Sequence, residues 1–320
     1  MSGKGKISSE VVRKVKDSAK RLGYDRKRSV KRSNPQAFRY VVILHYENRS
    51  YLWNFSRPLV TELESLILRS GFYPVVMHVP PEIDTKDILQ EIKRSKAGAV
   101  FAMNYVCEPL FDELGSIGVS VVIINNSNFQ KKYYSVLVDD FQGAYEGTEY
   151  LIELGHRNIA YIEYLRPDMP AVVMDRFFGF RKAIATHQLV FQESNRVSVE
   201  LTDAEALTMA IQQLFSNPDR PTALFVHDDY FAAHVTEVLK SLNIAVPRDV
   251  SLLAPGDVLD YNEPFLPKIT TMRINPTHMV RTAWDLMTNI LKAKPDEVQV
   301  LKIKQTLVDR GSCIPCTRST

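Results

Sequence analysis

A repeated alternation of apolar runs and amphipathic segments constrains the fold of this chain most strongly. Residues 40–44 read YVVIL, a continuous apolar run typical of a strand that is covered on both faces. After it the pattern predicts helices at 57–69, 84–95 and 108–116, and strands at 72–79, 98–103 and 119–124. Strands that alternate with helices in this way predict a parallel sheet with helices on both faces.

The same alternation then starts a second time. Helices are predicted at 141–154, 171–187, 203–216 and 229–242, and strands at 159–164, 196–201, 222–227 and 250–254. The predicted fold class is therefore α/β, with two doubly wound parallel-sheet lobes. Ligands bind such sheets at the carboxyl ends of their strands, and a cleft between two lobes is the default pocket. Between helix 141–154 and the next strand, Gly155 is predicted as the helix C-cap, with His156 and Arg157 complementing the negative helix end.

The charge of the chain is concentrated at its amino-terminal end. Residues 1–39 hold thirteen lysines and arginines against three acidic residues, whereas the net charge of the whole chain is only +3. A short helix is predicted at 8–23, between a Ser8 N-cap and Gly23, and a basic linker follows at 24–36. This asymmetry indicates a polyanion-binding appendage on a neutral body.

Several function classes find no support in the sequence. No run of 18 apolar residues and no apolar secretory signal is present, so no membrane partner is expected. The three cysteines do not make a disulfide framework, and a reducing cytoplasm fits best. Cys313 and Cys316 have a CxxC spacing in a polar tail without a second ligand pair, which disfavours a metal or redox role. GxSxG, HExxH, P-loop and GxGxxG motifs are absent, so neither enzymatic activity nor a cofactor is predicted.

Several stretches resemble the lactose-repressor/galactose-repressor family of bacterial transcription regulators in order and spacing. They are ISSEVVRKVKDSAKRLGY (7–24), VLVDDFQGAYEGTEYLIELGHRNIAYI (136–162), DRFFGFRKAI (175–184), RPTALFVHDDYFA (220–232), VPRDVSLLAPGD (246–257), PKITTMRIN (267–275) and TLVDRGSC (306–313). The resemblance runs from Ile7 to Cys313. It implies a homodimer with a DNA-reading headpiece, a hinge that enters the minor groove, and a two-lobed core of the periplasmic-binding-protein type.

The resemblance also implies a division of the chain into parts. Residues 1–36 correspond to a partial headpiece helix and the hinge linker. The N-terminal lobe would hold 37–138 plus 275–299, and the C-terminal lobe 139–270 plus 304–320. The helix-turn-helix pair that the family places before Ile7 does not appear, so a remnant headpiece and weakened or lost operator DNA binding are expected.

Three residues are candidates for effector contacts in the second lobe. The resemblance places Arg176 in the cleft, where a guanidinium can hold two hydroxyls or a carboxylate; an exposed helix arginine is the alternative. Asp228 matches an effector-contacting position, and Asp229 is predicted as the N-cap of the helix that follows. The family's ligand-binding aspartate aligns with Gly256, so Asp257 is either a substitute one position later or an ordinary loop residue.

Aromatic and amide side chains supply further candidates in the first lobe. Trp53 and Phe55 are predicted to stack on a sugar ring or a base, with packing on the lobe surface as the equal alternative. Asn125 and Asn126 follow a strand, and Asn126 is the preferred polyol-binding residue; a turn is the alternative for both.

The basic segment supplies the candidates for DNA contacts. Cations there would contact phosphates, which attract and position without reading sequence. These residues are Lys14, Arg26, Lys27, Arg28, Lys31 and Arg32. Val30 stands near the place of the family's wedge leucine and is a weaker wedge between base steps. A solvated linker is the alternative for the whole segment.

The leading functional hypothesis is a DNA-binding transcriptional regulator, most simply a repressor, whose core senses a small effector. Acidic and aromatic groups with one arginine suit a neutral sugar as the effector, and a nucleoside or an amino-containing ligand is the alternative. The alternative is a solute-binding protein of a transport system, which shares the core fold but leaves the basic helix unexplained.

Overall fold

Two six-stranded sheets carry the part of the chain that the computed structural model describes, which is residues 38–46, 50–80, 82–128, 130–165, 170–293, 295 and 297–317. For residues 50–54 and 170 the description covers the backbone alone. The predicted headpiece helix, the linker and all the candidate DNA contacts from Lys14 to Arg32 lie outside the described residues. A compact unit begins at Phe38.

The first sheet has the strand order β11-β5-β4-β3-β1-β2, and each pair of neighbours is parallel. Its strands are β1 (Tyr40–Tyr46), β2 (Tyr73–Val79), β3 (Ala99–Met103), β4 (Ser120–Ile124), β5 (Tyr134–Val138) and β11 (Val300–Ile303). Its helices are α1 (Ser50–Arg69), α2 (Thr85–Ser95), α3 (Glu108–Ser116) and α8 (Pro276–Ala293). Val42 lies between Val75 and Val100 in the register and is fully buried, because helices cover both faces.

The second sheet repeats this arrangement in the order β12-β10-β9-β8-β6-β7. Its strands are β6 (Ile159–Tyr164), β7 (Arg196–Val199), β8 (Ala223–Val226), β9 (Ser251–Gly256), β10 (Thr270–Arg273) and β12 (Thr306–Val308). Its helices are α4 (Asp140–Glu153), α5 (Pro170–Thr186), α6 (Ala204–Ser216) and α7 (Asp229–Ser241). β12 is antiparallel to β10, and the other pairs are parallel.

Each sheet separates two hydrophobic cores, as a doubly wound sheet requires. In the first sheet α1 and α8 fill one core, and α2 and α3 fill the other. In the second sheet α4 and α5 cover one face, and α6 and α7 cover the opposite face. The predicted α/β fold with two such sheets is confirmed.

The chain passes between the two sheets three times. It leaves β5 of the first sheet to enter α4, leaves β10 of the second sheet to enter α8, and runs from β11 directly to β12. The passages are short: one residue, Asp139, separates β5 from α4, and Lys304 and Gln305 separate β11 from β12. Gln305 is buried and donates to the carbonyl oxygen of Asp139, so two of the three passages are in direct contact.

Aspartates set the beginning of several helices. Asp84 accepts from Lys86 N at 2.9 Å and caps α2, and Asp203 accepts from Ala206 N at 2.8 Å and caps α6. Gly155 follows α4 with φ +91°, in agreement with its predicted C-cap role. Arg157 donates to the Ile152 carbonyl oxygen at 2.9 Å, which confirms its expected position at the negative helix end.

His156 differs from its prediction as a charge at the end of α4. Its imidazole is buried and bonds to Thr222 Oγ1, Ser251 Oγ and the Ile314 carbonyl oxygen. Burial lowers the pKa of His156, so the ring is neutral at pH 7. It therefore ties the carboxyl-terminal segment to the second sheet, while Arg157 alone meets the helix end.

Several boundaries also differ from the sequence prediction, and for two of them the physical reason is clear. α1 begins at Ser50 rather than at 57, with Pro58 inside the helix. Proline is most common in a first helical turn, so the pattern favoured a start beside it. The predicted strand 196–201 ends at Val199, because the chain turns towards the Asp203 cap of α6.

The closest helix packing in the second sheet joins α4 to α5 through small residues. A Cβ added at Gly179 would lie 2.1 Å from the carbonyl oxygen of Phe141 and 3.1 Å from Ala144 Cβ. These distances are below van der Waals contact, so only glycine lets the backbones approach this far. Gly115 offers the contrast, because a Cβ added there would meet nothing within 4 Å.

We expect Gly179→Ala to lower the free energy of unfolding by about 1–3 kcal/mol, because the two helices must move apart to accept the methyl group. Gly115→Ala, also inside a helix, should instead raise it by about 0.5–1 kcal/mol through reduced backbone entropy of the unfolded chain. Urea unfolding of both variants measures the difference. Equal effects at the two positions would contradict the close α4–α5 contact.

Candidate functional site

A cavity lies where the carboxyl ends of strands from both sheets meet. Its empty volume is about 560 Å³, counted together with the part that is open to solvent. The first sheet contributes Phe55, Asn125 and Val138, and Ile274 joins them from the passage that follows β10. The second sheet contributes Asp140, Tyr164, Val172, Arg176, Asp228, Asp229, Tyr230, Gly256 and Val258.

Strand geometry explains why these residues meet. Four cavity residues lie at or directly after the ends of β4, β5, β6 and β9, and they are Asn125, Val138, Tyr164 and Gly256, respectively. Asp228 is the second residue after β8. Parallel strands of one sheet end along the same edge, which is where doubly wound sheets bind ligands. The predicted cleft therefore corresponds to a real cavity with polar groups from several elements.

Arg176 is a buried cation in the cavity wall, only 7% exposed. Its Nε donates to Asp140 Oδ1 at 2.8 Å, and its Nη1 donates to the His227 carbonyl oxygen at 2.7 Å. The exposed-helix alternative for Arg176 is wrong. Asp140 was not among the candidates; as the first residue of α4 it resembles an ordinary helix-start aspartate, and only the fold brings it to α5.

Asp228 both caps a helix and faces the cavity. Its Oδ1 accepts from Phe231 N at 2.8 Å, which makes Asp228 the N-cap of α7. Its Oδ2 accepts from the Tyr164 hydroxyl at 2.6 Å. The capping role predicted for Asp229 is therefore wrong: the cap lies one residue earlier, because α7 starts at Asp229 itself. Tyr164, the last residue of β6, was not among the candidates because it reads as an apolar strand residue.

Asp229 is fully buried behind Asp228 and holds the loop that follows β9. Its Oδ2 accepts from Val258 N at 2.8 Å, Leu259 N at 3.1 Å and the Tyr261 hydroxyl at 3.1 Å. Its Oδ1 has no hydrogen-bond partner among the described residues and faces Gly256, where an added Cβ would lie 2.3 Å from it. Burial, together with the neighbouring Asp228 charge, raises the pKa of Asp229 to about 7.

Asp257 points away from the cavity. Its carboxylate is bound by Arg273 and Arg310, and Thr271 Oγ1 donates to it at 2.9 Å. The guanidinium of Arg310 also stacks at 3.7 Å on the ring of Tyr261, the residue that donates to Asp229. These contacts correspond to the structural alternative for Asp257, and the residue at the cavity wall is its neighbour Gly256.

Of the candidates in the first lobe, some line the cavity and others do not. Phe55 lines the cavity and also packs against the core under α1. Asn126 does not line it; its Oδ1 accepts from Asn128 N at 3.0 Å, which is the turn alternative. Asn125 takes the cavity position, held by a hydrogen bond from its Nδ2 to Asn104 Oδ1 at 2.8 Å. Trp53 lies on α1, but its side chain is outside the described part of the chain.

The described residues contain no group of three His, Cys, Asp or Glu side chains arranged to hold a metal ion. Cys313, the first cysteine of the CxxC spacing, is a buried thiol that donates to the Leu252 carbonyl oxygen at 3.2 Å. Across the described ranges, no helix has the length and apolar character that crossing a bilayer requires.

A family model described as a periplasmic binding protein-like domain matches residues 148–313. The HTH-type transcriptional repressor PurR of Shigella sonnei is 28% identical over 195 residues, which cover 61% of this chain and 56% of the repressor. PurR of Erwinia tasmaniensis is 30% identical over 179 residues, covering 56% and 51%. The chain thus spans about half the length of the curated relatives it matches.

Solved structures show the same fold. A LacI transcriptional regulator from a Rhodococcus species superposes with a TM-score of 0.70 at 25% identity, over 87% of this chain and 99% of the regulator. The complex of the transcriptional regulator CelR with cellobiose gives 0.70 at 23% identity, over 96% and 92%. A LacI family regulator from Enterococcus faecium with bound ribose gives 0.69 at 19% identity, over 87% and 100%.

The pKa of Asp229 generates a test of the site. A folded-state pKa of about 7 against an ordinary value of 3.8 means that the folded protein holds a proton that the unfolded chain releases. The stability from this group is complete below pH 4 and is lost as the pH rises towards 7, by up to about 1.4 kcal/mol per pH unit. We expect Asp229→Asn to remove this dependence in urea unfolding at pH 5, 6, 7 and 8.

Asp203→Asn is the control, because Asp203 is an exposed helix cap on the same sheet. Its pH profile should run parallel to that of the parent protein. A profile for Asp229→Asn that is also parallel to the parent would show that Asp229 is ionised throughout this range.

Proposed function

Because this chain belongs to the periplasmic-binding-protein-like family, in its lactose-repressor/galactose-repressor branch, we propose that it is a transcriptional repressor whose core senses a small effector. The cavity between the two sheets is the proposed effector site, and a carbohydrate is the proposed effector class. The observation that carries the proposal is the convergence of Arg176, Asp228 and Phe55 from both sheets on one cavity. The transcriptional regulators with bound ribose and cellobiose support the carbohydrate class.

The cavity wall retains unused hydrogen-bonding capacity. Among the described residues no partner engages the second Nη group of Arg176, which can donate to a ligand hydroxyl. Each oxygen of Asp228 accepts one hydrogen bond, whereas a carboxylate has about four acceptor sites. Phe55 offers an aromatic ring from the opposite sheet. Donors and acceptors on one side and an aromatic ring on the other suit a sugar, which has polar edges and apolar faces.

Effector binding would act through the relative position of the two sheets. A ligand that contacts both α1 and α5 favours the arrangement in which both sets of contacts form, and so shifts the population towards it. The three passages between the sheets are the hinges of this movement in the proposal. Its lobes are the predicted ones, 37–138 plus 275–299 and 139–270 plus 304–320. In a homodimer of such cores, closure of the two lobes over the effector would change the distance between the two DNA-binding segments.

The DNA-contacting part of the proposal rests on the charge of residues 1–36. Lys14, Arg26, Lys27, Arg28, Lys31 and Arg32 would bind phosphates, and Val30 would approach the minor groove. Such contacts supply affinity without reading base sequence. A regulator of transcription acts on the chromosome, so the proposal places its action in the bacterial cytoplasm.

A ligand screen tests the effector site. Monosaccharides, disaccharides and nucleosides would be added to the protein, and the melting temperature would be followed. A ligand at a hundredfold excess over its Kd stabilises the native state by about 2.7 kcal/mol, which raises the melting temperature by several degrees. Arg176→Lys should abolish the shift, because an ammonium retains the charge beside Asp140 but loses the planar donor set.

Arg181→Lys is the matched control, since Arg181 is on the same helix but does not line the cavity. It should respond to the ligand like the parent protein. Phe55→Ala should weaken binding from the opposite sheet. A screen without any hit, or a shift that persists unchanged in both Arg176→Lys and Phe55→Ala, would refute the proposed site.

DNA association can be tested on the same chain. We expect weak, salt-sensitive binding with equal affinity for two unrelated duplexes, measured by fluorescence anisotropy between 50 and 200 mM salt. Replacing Arg26, Lys27, Arg28, Lys31 and Arg32 by Gln should reduce the slope of log K against log salt by about 0.9 for each phosphate that the protein no longer neutralises.

A control variant carries the same charge change on the surface of the core, with Gln at Lys86, Lys93, Arg94, Lys240 and Lys292, which are all exposed. It should bind DNA like the parent protein. An equal weakening in both variants would show that net charge, rather than the amino-terminal segment, governs the association.

A further inference from the structure

The cavity wall has an imbalance of charge that a neutral effector would leave uncorrected. Its lining residues, as far as the structure describes them, include three aspartates, Asp140, Asp228 and Asp229, and a single arginine, Arg176. Arg176 is committed to Asp140 through the 2.8 Å contact between its Nε and Oδ1, both partners being less than 10% exposed. Arg176 lies within electrostatic range of Asp228 as well, so one cation serves two carboxylates.

Neutral donors satisfy the other two carboxylates. Asp228 accepts hydrogen bonds from the Tyr164 hydroxyl and the Phe231 backbone amide. Asp229 accepts hydrogen bonds from the Tyr261 hydroxyl and from two backbone amides. Such bonds stabilise an anion but leave its charge uncompensated. Burying an unpaired charge is costly, and a protein responds by supplying a counter-charge or by retaining a proton.

Asp229 provides a second and independent indication. It is fully buried, and within the part of the chain that the structure describes its Oδ1 has no hydrogen-bond partner. That oxygen faces Gly256, a residue of the cavity wall, at a distance that leaves no room for a Cβ. A buried carboxylate oxygen without a donor, next to a second carboxylate at the cavity surface, marks a place where positive charge is missing.

We propose that the effector carries a protonated primary amine, which binds against Asp228 with the Asp229 carboxylate behind it. This inference rests on the proposed function, because it takes the cavity as the effector site. Within the carbohydrate class it selects amino sugars, whose ring hydroxyls would meet Arg176 while the ammonium meets the aspartate pair. A neutral sugar satisfies the same acceptors through hydroxyl groups but leaves the negative charge unbalanced.

The nearby charges favour Asp228 as the direct contact. Asp228 is half-buried at the cavity surface, whereas Asp229 is fully enclosed and acts through its field. The other ionic groups on the Asp229 side are Asp257, Arg273 and Arg310, which bind one another behind Tyr261 and do not line the cavity. They therefore supply no cation to the cavity.

Isothermal titration calorimetry at pH 7.0 with matched compounds tests the inference. Glucosamine, galactosamine and mannosamine would each be compared with the N-acetyl derivative and with the parent hexose, both of which lack the charge. We expect at least one amine to bind tenfold or more tightly than both of its neutral counterparts. Asp228→Asn and Asp229→Asn should each reduce that ratio several-fold.

Asparagine is as good an N-cap as aspartate, so Asp228→Asn should retain α7. The matched control is Asp203→Asn, which makes the same change at the N-cap of α6, outside the cavity lining. It should leave the ratio unchanged, and thermal melts of all three variants would verify that they fold. A preference for the amine that survives in both Asp228→Asn and Asp229→Asn would overturn the assignment to this pair.

Other results separate this inference from the proposed function. Neutral sugars that bind as tightly as the amines, with affinity abolished in Arg176→Lys, overturn the inference and leave the effector site in place. No binding by any of the three amines also overturns it. If the wider set of neutral sugars and nucleosides fails as well, the proposed function falls too.

Discussion

The ion pair between Arg176 and Asp140 is the interaction on which the cavity depends. It joins the first turn of α4 to α5, and the bond from Arg176 to the His227 carbonyl oxygen adds the end of β8. Removing one partner of a buried pair leaves an uncompensated charge, which costs about 3–5 kcal/mol. α4 starts one residue after β5 of the first sheet, so the pair also fixes the second sheet relative to the passage between them. The cavity wall and the start of α4, where the chain enters the second sheet, therefore share one electrostatic anchor.

The sequence predicted the architecture well because the fold is determined by features that are local and repeated. Continuous apolar runs, helix caps such as Asp84, and Gly155 at a helix end each report on a few neighbouring residues. Their order in the chain then implies the sheet topology. The predictions weakened where local signals conflict, as at α1, which contains Pro58, and at His156, whose burial depends on partners more than 60 residues away.

The site was harder to predict because its chemistry changes from one residue to the next. Asp228 and Asp229 are residues of the same type, yet Asp228 caps α7 at the cavity surface and Asp229 is buried beneath it. Asn125 lines the cavity whereas Asn126 does not, and Gly256 lines it whereas Asp257 does not. Adjacent residues at a strand end point in opposite directions, so a boundary error of one position exchanges the inner residue for the outer one. Asp140 and Tyr164 gave no local signal at all.

The charge of Asp229 is linked to the conformation of the loop that follows β9. The same carboxylate that lacks a counter-charge also accepts three hydrogen bonds from residues 258–261, including that of Tyr261, on which Arg310 stacks. Arg310 binds Asp257, and Asp257 binds Arg273 at the end of β10, where the chain leaves for the first sheet.

A cation that ionises Asp229 strengthens the hydrogen bonds that Asp229 accepts from residues 258–261, because hydrogen bonds to charged groups are stronger than those to neutral groups. By reciprocity, an arrangement of the passage after β10 that strengthens these bonds favours binding of the cation. An amine in the cavity would thus be coupled to the inter-sheet passage through contacts that are already formed, whereas a neutral ligand would leave the Asp229 charge state, and with it this route, unchanged.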